Sequence, residues 1–326
     1  MASKTVLITG VAGMIGSHLL DDLLDRGYTV TGMDDLSYGS EANIAHQKGH
    51  SRFTFLNANV LDIETVKKAA TGAQAIIHLA ALKKISEKED AYPTLSVNAT
   101  GTENVLKVAR ELGCKLVFAS TSDVYGMSPD LPLNEDGDLL IGPSMIKRWS
   151  YAVSKLYGEQ MANAYYRDFG VPVVILRYFG AFSPRSNFSW SGGHIPIFIQ
   201  QVLNDEPITI HGDGSQTRSM GFVSDLVEGT RLALESESAI GEIINLGNDE
   251  ELSVLDSAKL IHRLAGTDKE LKLKFIPMSD IFGKYKDIMR RIPDLSKAKR
   301  LLGYSPKVNM HEAIRLTLNE ARKEKA

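Results

Sequence analysis

With one cysteine, Cys114, in 326 residues, the chain cannot close a disulfide within itself. Cys114 follows Gly113 and precedes an apolar run, which is the setting of a buried thiol at a strand edge rather than of a nucleophile. No apolar run reaches the roughly 18 residues that a membrane span requires. The opening Met-Ala-Ser-Lys carries no signal-peptide pattern, so the expected location is the cytoplasm. Neither sign of charge dominates: 37 Lys and Arg stand against 40 Asp and Glu, a net charge of -3. This balance argues against nucleic acid or an anionic membrane as partner, while leaving room for a small anion held by a local cluster of cations. Repeats and low-complexity tracts are absent, and no metal is expected. What is present, 43% hydrophobic and 24% charged residues, is the composition of an ordinary globular protein with a substantial core.

The chain reads as alternating strands and helices. Residues 5–9, 29–33, 53–56, 75–79, 115–119 and 171–176 are short β-branched or apolar runs, and 15–26, 94–112 and 151–169 show helical spacing. Alternation of this kind implies right-handed crossovers and an α/β, doubly wound parallel sheet of Rossmann type. Residues 178–221 are rich in Gly, Ser, Pro and aromatics and show no sustained period, whereas 222–234 and 242–246 again look regular. The expected organisation is a dinucleotide-binding domain over 1–177, to which 222–247 return, and a smaller C-terminal substrate lobe from 178–221 and 248–326. The lysine-rich end reads as a solvated helix terminus.

Gly10-Val-Ala-Gly13-Met14-Ile15-Gly16 follows the first strand and opens the first helix. Glycines there let the backbone turn tightly and approach a pyrophosphate, whose charge then sits on the helix N-terminus. Tight strand–helix packing alone would also use them, but the second strand ends at Asp34, eighteen residues after Gly16. A carboxylate at that point can accept from ribose hydroxyls and repels a 2'-phosphate, which favours NAD over NADP. A second pattern, Tyr151-Ala-Val-Ser-Lys155, sets a phenol and an ammonium four residues apart on one helix face. A phenol is a poor base near neutrality; a neighbouring cation favours its ionised form, which can take a proton from an alcohol while hydride leaves the same carbon. Either pattern alone is a frequent accident. Together, in this order, they are not.

GxxGxxG with YxxxK resembles the extended short-chain dehydrogenase/reductase family, which includes nucleotide-sugar epimerases, dehydratases and decarboxylases. The likeness runs over nearly the whole chain. It implies that His78-Leu79-Ala80-Ala81 closes the fourth strand along the cofactor, that Asn98, Ser120 and Tyr178 lie at the cofactor, and that Asn59-Val60 face the adenine where the family generally has Asp-Ile. In Ser120-Thr121-Ser122-Asp123-Val-Tyr125-Gly126 the resemblance places the catalytic hydroxyl at Thr121, although Ser and Thr also simply turn strand ends. Asp123 is an acid where simple 4-epimerases usually have a small or apolar residue, and where dehydratases and uronate decarboxylases have an acid. A carboxylate there can exchange a proton at the sugar's C5 or anchor hydroxyls. Residues 141–151, with Arg148 and Trp149, look like bacterial UDP-glucuronate decarboxylases, and equally like a surface turn.

Arg177-Tyr-Phe-Gly180-Ala-Phe-Ser183-Pro-Arg185 is similar to the family's R-x-F-N-x-Y-G-P-R, with Gly180 in place of an asparagine that touches the diphosphate and Ser183 in place of a glycine. Arg218, closing Gly212-Asp-Gly-Ser-Gln-Thr-Arg218, and Arg291 match substrate-binding arginines; guanidinium forks suit a pyrophosphate at any pH. One of Lys83 and Lys84, after the fourth strand, is expected to contact a phosphate or carboxylate of the substrate. The resulting expectation is a redox-neutral, NAD-dependent enzyme that oxidises C4 of a nucleotide-diphosphate hexose, UDP favoured, and then epimerises, dehydrates or decarboxylates it. UDP-glucuronate decarboxylation is one specific form. A net dehydrogenase releasing NADH, or a catalytically silent NAD sensor, are the alternatives of other classes, disfavoured by the paired arginines and by the Tyr–Lys pair respectively. The resemblance also implies a homodimer built on the Tyr151 helix.

Overall fold

The computed structural model describes residues 4–83, 90–186, 193–282 and 287–323. The first half alternates as β1 (Thr5–Thr9), α1 (Met14–Asp25), β2 (Thr29–Asp34), β3 (Phe53–Asn57), α2 (Ile63–Ala70), β4 (Ala75–His78), α3 (Ala91–Leu112), β5 (Lys115–Thr121), α4 (Trp149–Phe169) and β6 (Val173–Tyr178). There follow β7 (Ala181–Phe182), α5 (His194–Leu203), β8 (Ile208–His211), β9 (Thr217–Ser219), β10 (Gly221–Phe222), α6 (Val223–Glu235), β11 (Ile243–Leu246), β12 (Glu251–Ser253), α7 (Val254–Ala265), β13 (Leu273–Ile276), α8 (Met278–Phe282), α9 (Ser296–Leu302) and α10 (Met310–Lys323).

Seven strands form one parallel sheet in the order β11-β6-β5-β4-β1-β2-β3. β1 shows why it is buried on both sides: Val6 and Ile8 point into one core with Leu19, Leu20, Leu23 and Leu24 of α1, and Leu7 points into the other with Val105, Leu106 and Val108 of α3. Complete burial of each such side chain stabilises the fold by roughly 1.5–3 kcal/mol. The strand order reverses between β1 and β4, so the chain leaves the carboxyl ends of these neighbours in opposite directions and opens a crevice there. Cys114 is buried at the start of β5, its thiol donating to the Ala73 carbonyl oxygen at 3.1 Å.

A third core, with Phe182, Ile195, Phe198, Ile210, Ile261 and Ile314, belongs to the C-terminal part, where β8 pairs with β13, β9 with β12 and β7 with β10. Here the structure departs from the sequence reading. Residues 178–221 contain a ten-residue helix, α5. Its residues from His194 to Ile199 are all buried, and a run apolar on every side carries no amphipathic stripe to detect; Gln200 and Gln201 are the only polar residues that follow it in the helix. Another helix not foreseen is α2, only eight residues long, which starts where the Asp62 carboxylate accepts from the amides of Glu64 and Thr65; α7, α8 and α9 of the C-terminal part were not foreseen either.

Candidate active site

Two cavities meet over the glycine turn. The first, about 620 Å³, runs across the ends of β1, β2 and β4 and is lined by Gly10, Gly13, Met14, Asp34, Asn59, Val60, Leu79, Ala80 and Ala81 among others. Gly10 has φ +75° and passes so near β4 that a Cβ on it would stand 2.7 Å from the Ala80 nitrogen. Gly16 is equally constrained, since its Cβ would meet the Gly10 carbonyl oxygen at 2.2 Å. Gly13 caps α1 without any side-chain acceptor, which leaves the first amides of the helix to an outside anion. At the far end Asp34 accepts from the Ala12 and Leu36 amides, both at 2.9 Å, so its carboxylate is fixed and faces the cleft with lone pairs to spare. Burial pushes its carboxyl upward and these two amides oppose that push. A pyrophosphate over the helix end with a ribose at Asp34 suits this donor and acceptor set, so the residues present fit NAD.

The cleft also holds groups that sequence reasoning missed. Asp35 lies beside Asp34 and accepts from Asn59 Nδ2 at 2.6 Å, and Ser37, Tyr38 and Asn43 line the same wall. The doubled acid at the strand end was the available signal for Asp35. Asn98 is not brought to either cavity: its amide donates to the Leu82 carbonyl and the Ser154 hydroxyl, both at 2.9 Å, and its oxygen accepts from the Leu82 amide. It ties the segment after β4 to α4. Arg185 reaches the cofactor cleft, pairs with Asp21 at 2.8 Å, and does not line the second cavity. His78 is buried between Thr9 and Thr102, and burial pulls it down to about 3, so it is a neutral strut.

The second cavity, about 440 Å³, is reached from Gly10, Met14, Ile15 and Gly16 and lined by Lys83, Ser120, Thr121, Asp123, Arg148, Tyr151, Lys155, Tyr178, Gly180, His194, Arg218 and Arg291. Several places in the chain converge: the segment after β4, the end of β5, the start of α4, the segment after β6, the start of α5, and the pieces carrying Arg218 and Arg291. Gly158 brings α4 down onto β5, since a Cβ there would stand 2.5 Å from the Phe118 ring. Below the cavity floor Glu159 pairs with Arg177 at 2.8 Å and accepts from the Ser120 hydroxyl. Where Gly180 lacks a side chain, Met220 fills the space: a Cβ would lie 2.5 Å from its sulfur.

Tyr151 and Lys155 share the face that the four-residue spacing predicts, but their relation differs from the expected one. The Lys155 ammonium donates to the Ala119 carbonyl oxygen at 2.8 Å. Burial, opposed by Glu159, pulls Lys155 down to about 7. The Tyr151 phenol is pushed up by burial and by the Asp123 carboxylate, with a Thr121 hydrogen bond pulling the other way. In the protein alone the phenol therefore keeps its proton. Lys155 carries a stability consequence. An amine near 7 when folded and near 10 when unfolded binds more protons in the unfolded chain between those values, so its burial costs stability below about pH 10 and the cost lessens as pH rises from 7. Lys155→Met is expected to raise the melting temperature of the cofactor-free protein at pH 7 by at least about 3 °C, with the gain vanishing toward pH 10. Calorimetry at several pH values checks this, and a variant that melts lower at pH 7 contradicts it.

Asp123 is the electrostatic centre. Its Oδ1 accepts from Arg148 and from Arg291, each at 2.7 Å, and its Oδ2 lies 3.8 Å from the Lys83 ammonium. Burial would raise the carboxyl, but these three cations hold it well below the usual carboxylate range. A carboxylate so held is a weak proton acceptor, which favours the anchoring role over exchange of the C5 proton. Arg148 and Trp149 are both buried, 8% and 2% exposed, which removes the surface-turn reading. Arg148 was the residue sequence analysis undervalued; its place three residues before Tyr151 was the signal. Arg218 pairs with Asp287 at 2.8 Å and still faces the cavity. Lys84 lies outside the described residues.

The sequence matches the family described as NAD dependent epimerase/dehydratase over residues 6–247. The chain is similar to the UDP-N-acetyl-alpha-D-glucosaminuronate decarboxylase of Bacillus cytotoxicus, 34% identical with 97% of each chain covered. It is 36% identical to UDP-glucuronic acid decarboxylase 1 of Xenopus tropicalis, over 98% of this chain and 73% of that one. In structure it resembles a UDP-glucuronic acid 4-epimerase from Bacillus cereus crystallised with UDP-glucuronic acid and NAD, with TM-score 0.88, 31% identity, and 98% of this chain and 99% of that one covered. Among the described residues no helix is long and apolar enough to cross a membrane.

Proposed function

Since the chain belongs to the NAD-dependent epimerase/dehydratase family, we propose that it is a decarboxylase of UDP-uronic acids that works through a 4-keto sugar. One observation carries this choice: Asp123 is the only acid among the described residues lining the Tyr151 cavity, and Lys83, Arg148 and Arg291 surround it. Three cations against one carboxylate leave a surplus of positive charge beside the reacting alcohol. A neutral hexose has no use for it; a C6 carboxylate does. The three relatives above, named for uronic acid nucleotides, support the same substrate class.

Gly10, Gly13, Met14, Ile15, Gly16 and Asp34 hold the cofactor in this reading, and Arg218 takes the substrate diphosphate. The chemistry NAD supplies when bound is reversible hydride exchange at the sugar's C4. Tyr151 takes the proton of the C4 hydroxyl, with Thr121 orienting that hydroxyl and the positive charge of Lys155 below lowering the cost of a phenolate. With a ketone at C4 and a carboxylate on C5 the sugar is a β-keto acid. The C5–C6 bonding pair can then pass into the C4 carbonyl, releasing carbon dioxide and leaving an enolate whose oxygen faces Tyr151 and Thr121. No base at C5 is needed, which agrees with an Asp123 locked as an anion. Elimination, by contrast, requires C5 to lose a proton first.

Incubation with UDP-glucuronate and UDP-N-acetylglucosaminuronate is expected to release carbon dioxide and yield a UDP-pentose, seen by NMR, while UDP-glucose is untouched. A C4 epimer with its carboxylate intact would instead make the enzyme a uronate 4-epimerase. A homodimer is part of the proposal, supported by Leu95 of α3 and by Val153 and Tyr157 of α4, all exposed; so is a cytoplasmic location.

A further inference from the structure

Decarboxylation of a carboxylate leaves a carbanion equivalent that must acquire one proton from water, and the donor of that proton is not among the residues assigned so far. We propose that Lys83 delivers it to C5. The inference rests on the decarboxylase reading and concerns the step after carbon dioxide leaves.

Lys83 follows β4 by five residues, and its backbone oxygen accepts from the Tyr38 hydroxyl at 3.3 Å. Its ammonium lies 5.6 Å from the centre of the Tyr151 ring and 3.8 Å from Asp123 Oδ2, so it stands beside the group that addresses C4, on the side of Asp123. The other titratable groups of the cavity fail as donors. The Tyr38 hydroxyl donates to the Lys83 carbonyl oxygen at 3.3 Å, and the buried Tyr178 hydroxyl is paired with Thr230 at 2.7 Å. Arg148 and Arg291 both donate to Asp123 Oδ1, and a guanidinium does not give up its proton in a protein. Arg218 fails for the same reason. Asp123 is an anion. The Tyr151 proton belongs to the C4 oxygen and returns to it. Lys155 is closed under Ala119. Burial and Arg218 keep His194 neutral, and a neutral imidazole is too weak an acid.

Lys83 also has the route to water that the stoichiometry demands. Its side chain is 36% exposed, against 3% for Asp123, 9% for Arg148 and 14% for Arg291. Partial burial and the two nearby guanidinium groups weaken its hold on a proton, while Asp123 opposes them. The step balances as follows. The enolate pair forms a C5–H bond with a proton of the ammonium, the C4 carbonyl re-forms, Lys83 is left as a neutral amine, and solvent reprotonates it.

The test compares wild type with Lys83→Arg and Lys83→Met on UDP-glucuronate in deuterated water, each checked for retained NAD and unchanged circular dichroism. Carbon dioxide release is expected to slow in both variants, less in Lys83→Arg, which keeps a cation beside the sugar carboxylate, and UDP-pentose formed per carbon dioxide released in the first turnover is expected to fall roughly 10²-fold in both. Wild type should place deuterium on one face of C5; the variants, quenched by solvent, should place it on both. Lys83→Arg forming product at the wild-type rate, with single-face labelling, overturns the proposal by showing that charge alone suffices. A wild-type enzyme that releases no carbon dioxide overturns the decarboxylase reading and this step together.

Discussion

Tyr151→Phe should lower turnover by roughly 10²–10⁴-fold while leaving the protein folded and NAD in place. The change removes one oxygen from a side chain that is 9% exposed and that hydrogen-bonds to Thr121. The groups that shape the cofactor cleft are elsewhere in the chain: Gly10 and Gly13 belong to the turn between β1 and α1, and Asp34 ends β2, held by the amides of Ala12 and Leu36. The size of the loss follows from the state of the group. Burial and Asp123 hold the phenol protonated in the protein alone, so its basicity must be produced by cationic charge brought beside it during the reaction, and Phe can supply neither the base nor the later acid. Absorbance of bound cofactor after purification, together with steady-state rates, measures both halves of the expectation. Turnover within 10-fold of wild type would remove Tyr151 from the chemistry.

How far the site could be seen in the sequence depends on the distance along the chain over which each contact is made. The glycine turn was legible because β1, the turn and the start of α1 are contiguous, and Tyr151 with Lys155 because one helix presents both. Asp34 was legible because it ends a strand. By contrast, the partners of Asp123 come from 25 and 168 residues away, and no local pattern announces that two guanidinium groups will land on the same oxygen. The same blindness applies to the partners of Asn98. Its type and helix position resemble a cofactor ligand, yet its amide is consumed by Leu82 and Ser154, the latter 56 residues on. Likewise α5 was hard to see because its first six residues are all buried, so only its last turn, with Gln200 and Gln201, shows a polar face. Local chemistry made the glycine turn and Asp34 legible as a fit for the cofactor; the electrostatics of the sugar cavity needed the tertiary structure.

Asp123→Asn separates an anchor of arginines from a base at C5. The substitution keeps the shape and one oxygen but removes the charge, leaving Arg148, Arg291 and Lys83 facing one another without a counter-ion. Breaking a buried ion pair from one side costs on the order of 3–5 kcal/mol, so at pH 7 the variant should unfold at markedly lower urea concentration. The pH dependence has a definite sign. The folded-state carboxyl is depressed, so Asp123 contributes its full stabilisation above about pH 4, where the unfolded group is also ionised, and loses it as pH falls through the folded value. Wild type and variant should therefore converge in acid, and a gap that stays constant down to pH 2 would contradict the ion-pair account. The kinetic signature is equally specific. If Asp123 only positions the cations that receive the sugar carboxylate, C4 oxidation and carbon dioxide release should fall together, because both follow from one misplaced substrate. If it exchanged a proton at C5, the 4-keto sugar would instead accumulate, with C4 oxidation near the wild-type rate, and the locked carboxylate described above would be the wrong picture of this residue.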